Sequence, residues 1–164
     1  MKIYDNIFVM TDKPVIPYTE SIVFAAEYLA RACREYARKI IKDNNFKLSF
    51  EEYLILETVS HNPGLIQMDV AKRIFMQRSY MCKLLSKLED DGFVKREKTI
   101  KGKRQQVMRV YATELGTKVY QEMQSTFRAQ VLNKSLIEYD KMREVTAELF
   151  DMANSLVDTY NLKL

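Results

Sequence analysis

Glycine and proline are scarce in this 164-residue sequence, which contains four Gly and three Pro. Proteins on average contain about 7% Gly and about 5% Pro, and β-sandwiches and barrels need turn residues at short intervals. The scarcity therefore excludes a mainly β-sheet protein and makes helices the default prediction. With 47% hydrophobic residues, ten Tyr and eight Phe, the chain can bury a real core, which excludes disorder as its main state.

Long apolar runs are also absent. Runs such as residues 7–10 and 54–56 are far shorter than the roughly 18 residues needed to cross a bilayer. The first residues place one Lys ahead of an apolar stretch that Asp5, Asp12 and Lys13 interrupt, and they lack a small-residue cleavage site. No signal peptide is predicted, and we expect a soluble protein of the cytoplasm.

Residues that bind metals or form disulfides are few, namely two Cys and one His. Cys33 and Cys82 lie far apart with no C-x-x-C spacing, and His61 has no acidic or Cys neighbour at ligand spacing. Neither a zinc site nor a disulfide framework is therefore predicted. The sequence also has no Gly-rich phosphate loop and no Ser, His and Asp triad pattern, so we expect no cofactor and no enzyme activity.

Positive charge is concentrated in one part of the chain. Residues 65–110 contain twelve Lys or Arg and five Asp or Glu, a net charge of +7, whereas the whole chain carries +4. A compact basic region on a mildly acidic remainder is typical of a polyanion-binding protein, because neutralising phosphates releases counterions. The alternative is an ordinary solvated charged face.

Apolar spacing and capping residues predict six helices. They are expected at about residues 17–43, 49–62, 66–74, 77–91, 113–127 and 135–160. Two S-x-x-E capping boxes, Ser49 with Glu52 and Ser135 with Glu138, open the second and the sixth. The first, with Pro17 at its first position, would be about 40 Å long, which is more than a small lobe can cover, so it needs a partner.

The fourth predicted helix has a clear division into an apolar and a polar face, and Gly92 is expected just beyond its end. Four apolar residues recur at helical spacing and form one stripe that faces a core, namely Met81, Leu84, Leu85 and Leu88. The polar residues opposite and beside that stripe are Ser79, Tyr80, Cys82, Lys83, Ser86 and Lys87. Of these, Ser79, Lys83 and Ser86 are expected to point directly away from the core.

A basic β-hairpin is predicted after this helix. Residues 93–98 and 106–111 are rich in β-branched and aromatic residues, and Gly102 marks the bend between them. The tip carries three cations, Lys101, Lys103 and Arg104. A two-stranded ribbon is marginal in water, so the hairpin must pack on the preceding helices.

Three short helices followed by a basic hairpin is the order of a winged helix-turn-helix lobe. From Leu48 to Tyr120 the sequence resembles the multiple antibiotic resistance regulator (MarR) family of bacterial transcription factors. The residues that carry the resemblance are Leu48, Ser49, Tyr53, Leu56, Gln67, Asp69 to Ala71, Arg78, Ser79, Lys83 to Leu85, Leu88 to Arg96, and Thr113 to Gly116. Their order and spacing make the match specific, although the family usually has Asp at the position of Gly102.

The resemblance implies a mainly α fold with a small β-hairpin, in which a winged helix-turn-helix lobe lies between long N- and C-terminal dimerisation helices. The implied divisions are residues 1–47, 48–112 and 113–164. It further implies a homodimer that binds double-stranded DNA at a pseudo-palindromic operator and regulates transcription, with repression expected. The alternative is a winged-helix protein-interaction module, which would favour aromatic and aliphatic anchors over outward Ser and Lys.

The resemblance also implies the residues that contact DNA. The recognition-helix residues are Arg78, Ser79, Tyr80, Cys82, Lys83 and Lys87, and the wing residues are Lys101, Lys103 and Arg104. Arg78 is the expected reader of guanine, because arginine is the commonest residue in specific contacts to that base. Lys87 is expected nearer phosphate, and Arg104 in the minor groove.

Two further roles stay open at this point. Tyr28 and Tyr36 either line a pocket for a small aromatic effector or belong to the core or the dimer interface. Cys82 and Cys33 either sense oxidants, as some relatives of the family do, or have no such role, in which case Cys33 packs as a small hydrophobic residue in the first helix and Cys82 is a residue on the flank of the fourth. Release from DNA by a small-molecule or redox signal is therefore an expectation that depends on these four residues.

Overall fold

A computed structural model describes residues 17–102, 105–134 and 138–160. Its helices are α1 (Ile22–Asp43), α2 (Phe50–His61), α3 (Gln67–Arg73), α4 (Arg78–Asp90), α5 (Glu114–Lys134) and α6 (Tyr139–Tyr160). Its strands are β1 (Leu65–Ile66), β2 (Val94–Lys101) and β3 (Gln105–Ala112). The mainly α fold with a small β-hairpin is thus confirmed. No helix in these described ranges is long and apolar enough to cross a membrane.

Backbone contacts divide the chain into two compact units, Met1–Ala37 and Arg38–Leu164. In the first unit, α1 exposes large apolar side chains, including those of Ile22, Tyr28 and Leu29. Because isolated apolar side chains are common on surfaces but a row of them is not, this face is typical of a helix that packs on another molecule.

The second unit has a closed hydrophobic core around α2, in which Ile55, Leu56 and Val59 are fully buried. The other buried members come from α3, α4, the sheet and α5, and include Val70, Met81, Leu85, Leu88, Val94, Val110, Tyr120 and Met123. Helix α5 therefore contributes to the same core as the helix-turn-helix. The three predicted domain divisions remain predictions.

The sheet has the strand order β1-β3-β2, and both pairings are antiparallel. The hairpin strands are longer than predicted, since Val94 pairs with Ala112 at the base and Lys101 pairs with Gln105 at the tip. Strand β1 was not predicted, and it takes Ile66 out of the expected third helix. Two residues carry no strand periodicity of their own, and Leu65 and Ile66 become a strand only because β3 supplies their hydrogen-bonding partners.

The start of the first helix was predicted incorrectly. Pro17 precedes a single 3-10 turn, Tyr18–Glu20, and α1 begins only at Ile22. The reason is Ser21, whose hydroxyl accepts a hydrogen bond from the backbone N–H of Phe24 at 3.3 Å and so caps the helix. The capping box of α2 is confirmed, with Ser49 and Glu52 each accepting from the other's backbone N–H. Ser135 of the second predicted box lies outside the described residues.

Three helices end in the same hydrogen-bonded turn, the Schellman motif, with one residue in the left-handed region. At the end of α1 this residue is Asn45 (φ 54°), at the end of α3 it is Phe75 (φ 52°), and at the end of α4 it is Gly92 (φ 77°). In α3, the N–H of Met76 donates to the Ala71 carbonyl and the N–H of Phe75 to that of Lys72. The prediction that Gly92 follows α4 is confirmed.

Helix α5 starts in direct contact with the end of α4. The Thr113 hydroxyl accepts the backbone N–H of Gly116 at 3.0 Å and donates to the Gly92 carbonyl at 2.7 Å. A Cβ on Gly116 would lie 2.0 Å from the carbonyl oxygen of Phe93, so only glycine fits there. These contacts explain the Thr and the Gly of the Thr-Glu-Leu-Gly sequence by hydrogen bonding and packing.

Candidate nucleic-acid interface

The rotation of α4 is fixed by its apolar stripe. Met81, Leu84, Leu85 and Leu88 are all buried in the core of the second unit, as predicted. The side chains opposite them must therefore face away from the protein. Arg78, which opens the helix, is exposed as well.

The exposed face of α4 matches the sequence prediction in part. Ser79, Tyr80 and Lys83 are exposed, so these residues form one outward surface together with Arg78. Ser86 is different, because it is only partly exposed and its hydroxyl accepts a hydrogen bond from the Arg96 guanidinium at 3.2 Å. The outward surface thus covers the first two turns of α4 and does not extend to Ser86.

The cations of the basic region fall into two groups. Four of them have no hydrogen bond or ion pair with any other residue that the structure describes, namely Lys72, Arg78, Lys83 and Lys98. Others are already bound: Lys95 pairs with Glu97, and Arg109 donates to the Gly64 carbonyl at 2.7 Å. The net charge of the segment therefore overstates the charge available to a ligand, but Arg78 and Lys83 on α4 remain available.

Lys87 belongs to the second group. Its ammonium lies 2.5 Å from Oε1 of Glu52, a carboxylate that is only 1% exposed. The other oxygen, Oε2, accepts the backbone N–H of Ser49 at 2.7 Å. Burial alone would raise the pKa of Glu52, but the hydrogen bonds from Lys87 and Ser49 outweigh it and hold that pKa below its ordinary value. One buried carboxylate thus caps α2 and anchors α4.

A second anchor joins α4 to the hairpin. The Arg96 guanidinium contacts Oε2 of Glu89 through Nε at 2.8 Å and through Nη2 at 2.5 Å, and the Arg96 backbone N–H donates to Oε1 at 2.9 Å. These hydrogen bonds lower the pKa of Glu89. The guanidinium thus donates twice to Oε2 while the backbone N–H donates to Oε1, and these charge-assisted hydrogen bonds hold the start of β2 against the last turn of α4.

Sequence reasoning missed both anchors. Glu89 was not assigned a role, although the turn at Gly92 brings Arg96 back beside it. That spacing, a carboxylate on the last turn and an arginine shortly after the terminal glycine, was the signal that could have identified the pair. Glu52 and Lys87 are separated by most of the helix-turn-helix, so no local pattern joins them.

The hairpin is described up to its tip. Lys101 ends β2, and Gly102 has a left-handed φ of 61°. The side chain of Lys101 and the whole of Lys103 and Arg104 lie outside what the structure describes. Their predicted role as wing contacts therefore remains a prediction.

Two concave surfaces adjoin the start of α4. A cleft of about 480 Å³ lies between α3, α4 and β3, and its polar side chains are those of Gln67, Asp69, Lys72, Arg78 and Gln106. A groove of about 360 Å³ shares Met68, Lys72 and Arg78 with this cleft and is also lined by Phe75. Arg78 therefore lies on the shared rim of both surfaces.

The cysteines and tyrosines singled out in the sequence are placed as follows. Cys82 is partly exposed, and its sulfur accepts a hydrogen bond from the Gln67 side-chain amide at 2.8 Å. Cys33 is exposed, so the expectation that it packs as a small hydrophobic residue is wrong for the single chain.

The two tyrosines of α1 are also accessible, since Tyr28 is 69% exposed and Tyr36 is partly exposed. The redox role of the cysteines and the effector role of the tyrosines remain predictions.

His61 is the last residue of α2 and joins this helix to α5. Its Nε2 lies 2.8 Å from the hydroxyl of Tyr120, which also accepts from the Gln124 amide at 2.5 Å. Burial raises the pKa of Tyr120.

Within the described ranges no group of three or more His, Cys, Asp or Glu side chains could hold a metal ion.

Sequence comparison gives two matches. A model of the MarR family matches residues 46–105, which include the helix-turn-helix and most of the hairpin. The uncharacterized HTH-type transcriptional regulator YybA of Bacillus subtilis is 32% identical over 92 residues. That alignment covers 56% of this chain and 59% of YybA, so the chain spans about three fifths of this relative's length.

Solved structures resemble the chain over most of its length. The crystal structure of the transcriptional regulator SlyA is 26% identical, covers 86% of this chain and 97% of its own, and has a TM-score of 0.65. The crystal structure of an S. aureus MepR-DNA complex is 19% identical, covers 87% and 99%, and has a TM-score of 0.67. At the lower identity the likeness concerns the fold alone.

Proposed function

We propose that this chain is a transcriptional regulator of the MarR family, which binds double-stranded DNA through α4 and the β2–β3 hairpin. The observation that carries the proposal is the outward face of α4, on which Arg78 and Lys83 have no described partner. Cations left unpaired beside short hydroxyl side chains are suited to phosphates and base edges. The alternative of a protein-interaction module is not favoured.

The residues divide by role. We assign base contacts to Arg78, Ser79, Tyr80 and Lys83, because a helix of this kind fits the major groove, which is about 12 Å wide. Cys82 is a weaker candidate, since it is partly covered and already hydrogen-bonded to Gln67. The wing residues Lys101, Lys103 and Arg104 are proposed to reach the minor groove.

Lys87 is proposed to act at a distance from the bases. Its ammonium can contact a phosphate only while it shares its hydrogen bonds with Glu52 or leaves that carboxylate. Leaving Glu52 unpaired would be costly, because a buried charge without a partner is strongly unfavourable. We therefore assign Lys87 chiefly to the placement of α4, with phosphate contact as a minor role.

The proposed active species is a homodimer. Apolar side chains are exposed on α1 and also on α6, where they include Phe150, Met152 and Leu156. Burial of such faces against a second copy would supply the favourable free energy of association. A dimer of this kind would place two α4 helices in successive major grooves, so the operator would be pseudo-palindromic with half-sites about 34–36 Å apart.

We also propose that a chemical signal regulates DNA binding. A small aromatic effector would contact Tyr28 and Tyr36 of α1, and an oxidant would modify Cys82 or the exposed Cys33. Repression in the cytoplasm, with release of DNA on signalling, is the form of regulation we propose.

The test starts with selection of duplexes from a random pool by the purified protein, followed by fluorescence anisotropy over a salt series. Affinity should fall steeply with salt, and Arg104→Ala should lower the slope by about one unit. Arg78→Ala should weaken specific binding about 5- to 100-fold and relax the preference at one base pair. Lys141→Ala removes the same charge on α6, where Lys141 pairs with Glu144, and should leave binding unchanged. Affinity that does not depend on salt would refute the proposal.

A further inference from the structure

The turn between α3 and α4 contains a residue that neither the backbone nor the core explains. Phe75 is the left-handed residue of the Schellman motif at the end of α3. Glycine has no steric penalty there and asparagine a small one, as at Gly92 and Asn45, whereas a bulky side chain is strained. Among the residues that the structure describes, this turn ends α1, α3 and α4, and Phe75 is the one of the three left-handed residues that does not suit it.

The core does not compensate for this strain. Phe75 is 74% exposed, and the buried contacts of the turn are made by its neighbours Ala71 and Ile74. A large aromatic side chain in a strained backbone, and mostly in water, contributes little to the folded state of the single chain. Phe75 does not stand alone, however, because it lines one groove together with Met68 and Met76, and such an apolar surface is suited to being covered by a bound molecule.

The surroundings of Phe75 indicate what that is. Phe75 shares a groove with Met68, Lys72 and Arg78, and the residues that line it include two cations and no acid. Lys72 and Arg78 are both without a described partner. The groove includes the start of α4. A polyanion bound to α4 would therefore contact the apolar side chain of Phe75 and the nearby cations Lys72 and Arg78.

We propose that Phe75 is a DNA-binding residue that makes an apolar contact with the duplex next to the base edge reached by Arg78. Thymine presents a methyl group in the major groove and deoxyribose presents an apolar face beside each phosphate, and phenylalanine can contact either. Lys72 and Arg78 would hold the flanking phosphate and base while Phe75 excludes water between them. This inference rests on the proposed function of α4.

The test uses Phe75→Gly, which removes the side chain and suits the left-handed backbone. We expect the affinity for the selected duplex to fall about 5- to 10-fold, because about half of a phenylalanine side chain would lose its cover. The salt slope should not change, since no charge is removed. The urea midpoint of unfolding should stay the same or rise, so the affinity should fall without any loss of stability.

Asn45→Gly is the matched control, because it changes the same position of the same motif at the end of α1. It should leave DNA affinity unchanged. Replacing thymine by uracil in the half-site then identifies the DNA group: if wild type loses affinity and Phe75→Gly does not, the contact is to the methyl group. If both respond equally while Phe75→Gly still binds more weakly, the contact is to deoxyribose.

Three results would overturn the inference. Phe75→Gly binding as tightly as wild type would leave the proposed function intact and remove Phe75 from it. A fall in both affinity and urea midpoint would make Phe75 a structural residue, and a changed dimer dissociation constant in sedimentation velocity would make it an interface residue. Wild type that shows no salt-dependent binding would instead refute the proposed function itself.

Discussion

The core around α2 and the faces of α1 and α6 contain similar apolar residues but bury them differently. In the core, leucine, isoleucine and methionine side chains such as those of Leu85, Ile55 and Met81 are fully buried within one chain. On α1 and α6, side chains of the same types, such as Ile22, Met152 and Leu156, are about half exposed. The helix-turn-helix lobe is therefore stabilised by contacts within one chain, whereas α1 and α6 keep apolar surface that a partner could bury.

The largest effects are expected when one leucine of the core and one leucine on the exposed face of α6 are truncated in turn. The first should change the stability of the single chain and the second the stability of the dimer. Leu85→Ala should lower the free energy of unfolding by about 2–5 kcal/mol, because Leu85 is fully buried and leaves a cavity. Leu156→Ala should have a smaller effect on unfolding and should instead raise the dimer dissociation constant. Urea unfolding at several protein concentrations measures both. Equal effects of the two substitutions on a concentration-independent midpoint would contradict the comparison.

The next largest effect on stability is expected at the contact between Gly116 of α5 and the Phe93 carbonyl, just before β2. Gly116→Ala places a methyl group against the Phe93 carbonyl and should cost about 1–3 kcal/mol, because a backbone atom cannot move aside cheaply. Gly92→Ala meets no atom within 4 Å and should cost about 1 kcal/mol through its left-handed φ alone. Thermal unfolding of the two variants distinguishes a clash from backbone strain. The reverse ranking would show that α5 adjusts to the extra methyl group.

The ion pair between Lys87 and the buried Glu52 should make the free energy of unfolding depend on pH, whereas exposed ion pairs should not. Because the pKa of Glu52 is lowered in the folded state, its pairing with Lys87 contributes fully above about pH 4.5 and is lost as the pH falls through the folded-state pKa. Glu52→Gln should therefore be about 1–2 kcal/mol less stable at pH 7, a value reduced by the exposure of Lys87, and should depend less on acid pH.

The control for that variant is Glu97→Gln, which removes an exposed carboxylate paired with Lys95 on the same strand. It should leave stability unchanged at every pH, since exposed pairs contribute little. Urea unfolding between pH 3 and pH 7 measures both variants. Parallel pH profiles for Glu52→Gln and wild type would show that the pair does not stabilise the fold.

Local signals in the sequence account for the elements that were predicted well. The capping box of Ser49 and Glu52, the stripe beginning at Met81 and the glycine at 92 act over a few residues and could be identified by spacing. Strand β1 could not be predicted, because its strand geometry depends on β3, far along the chain. The same limit applies to the site: the exposed Arg78 was predicted, but the pairing of Lys87 with Glu52 joins α4 to α2 and leaves no local pattern.

The Thr113 hydroxyl has a mechanical consequence. It is hydrogen-bonded both to the first turn of α5, through Gly116, and to the last residue of the turn after α4, through the Gly92 carbonyl. The Phe93 carbonyl also packs directly on Gly116, so the start of α5 cannot come closer to the residues that follow α4. We therefore expect a change in the tilt of α5 to move the C-terminal end of α4 with it.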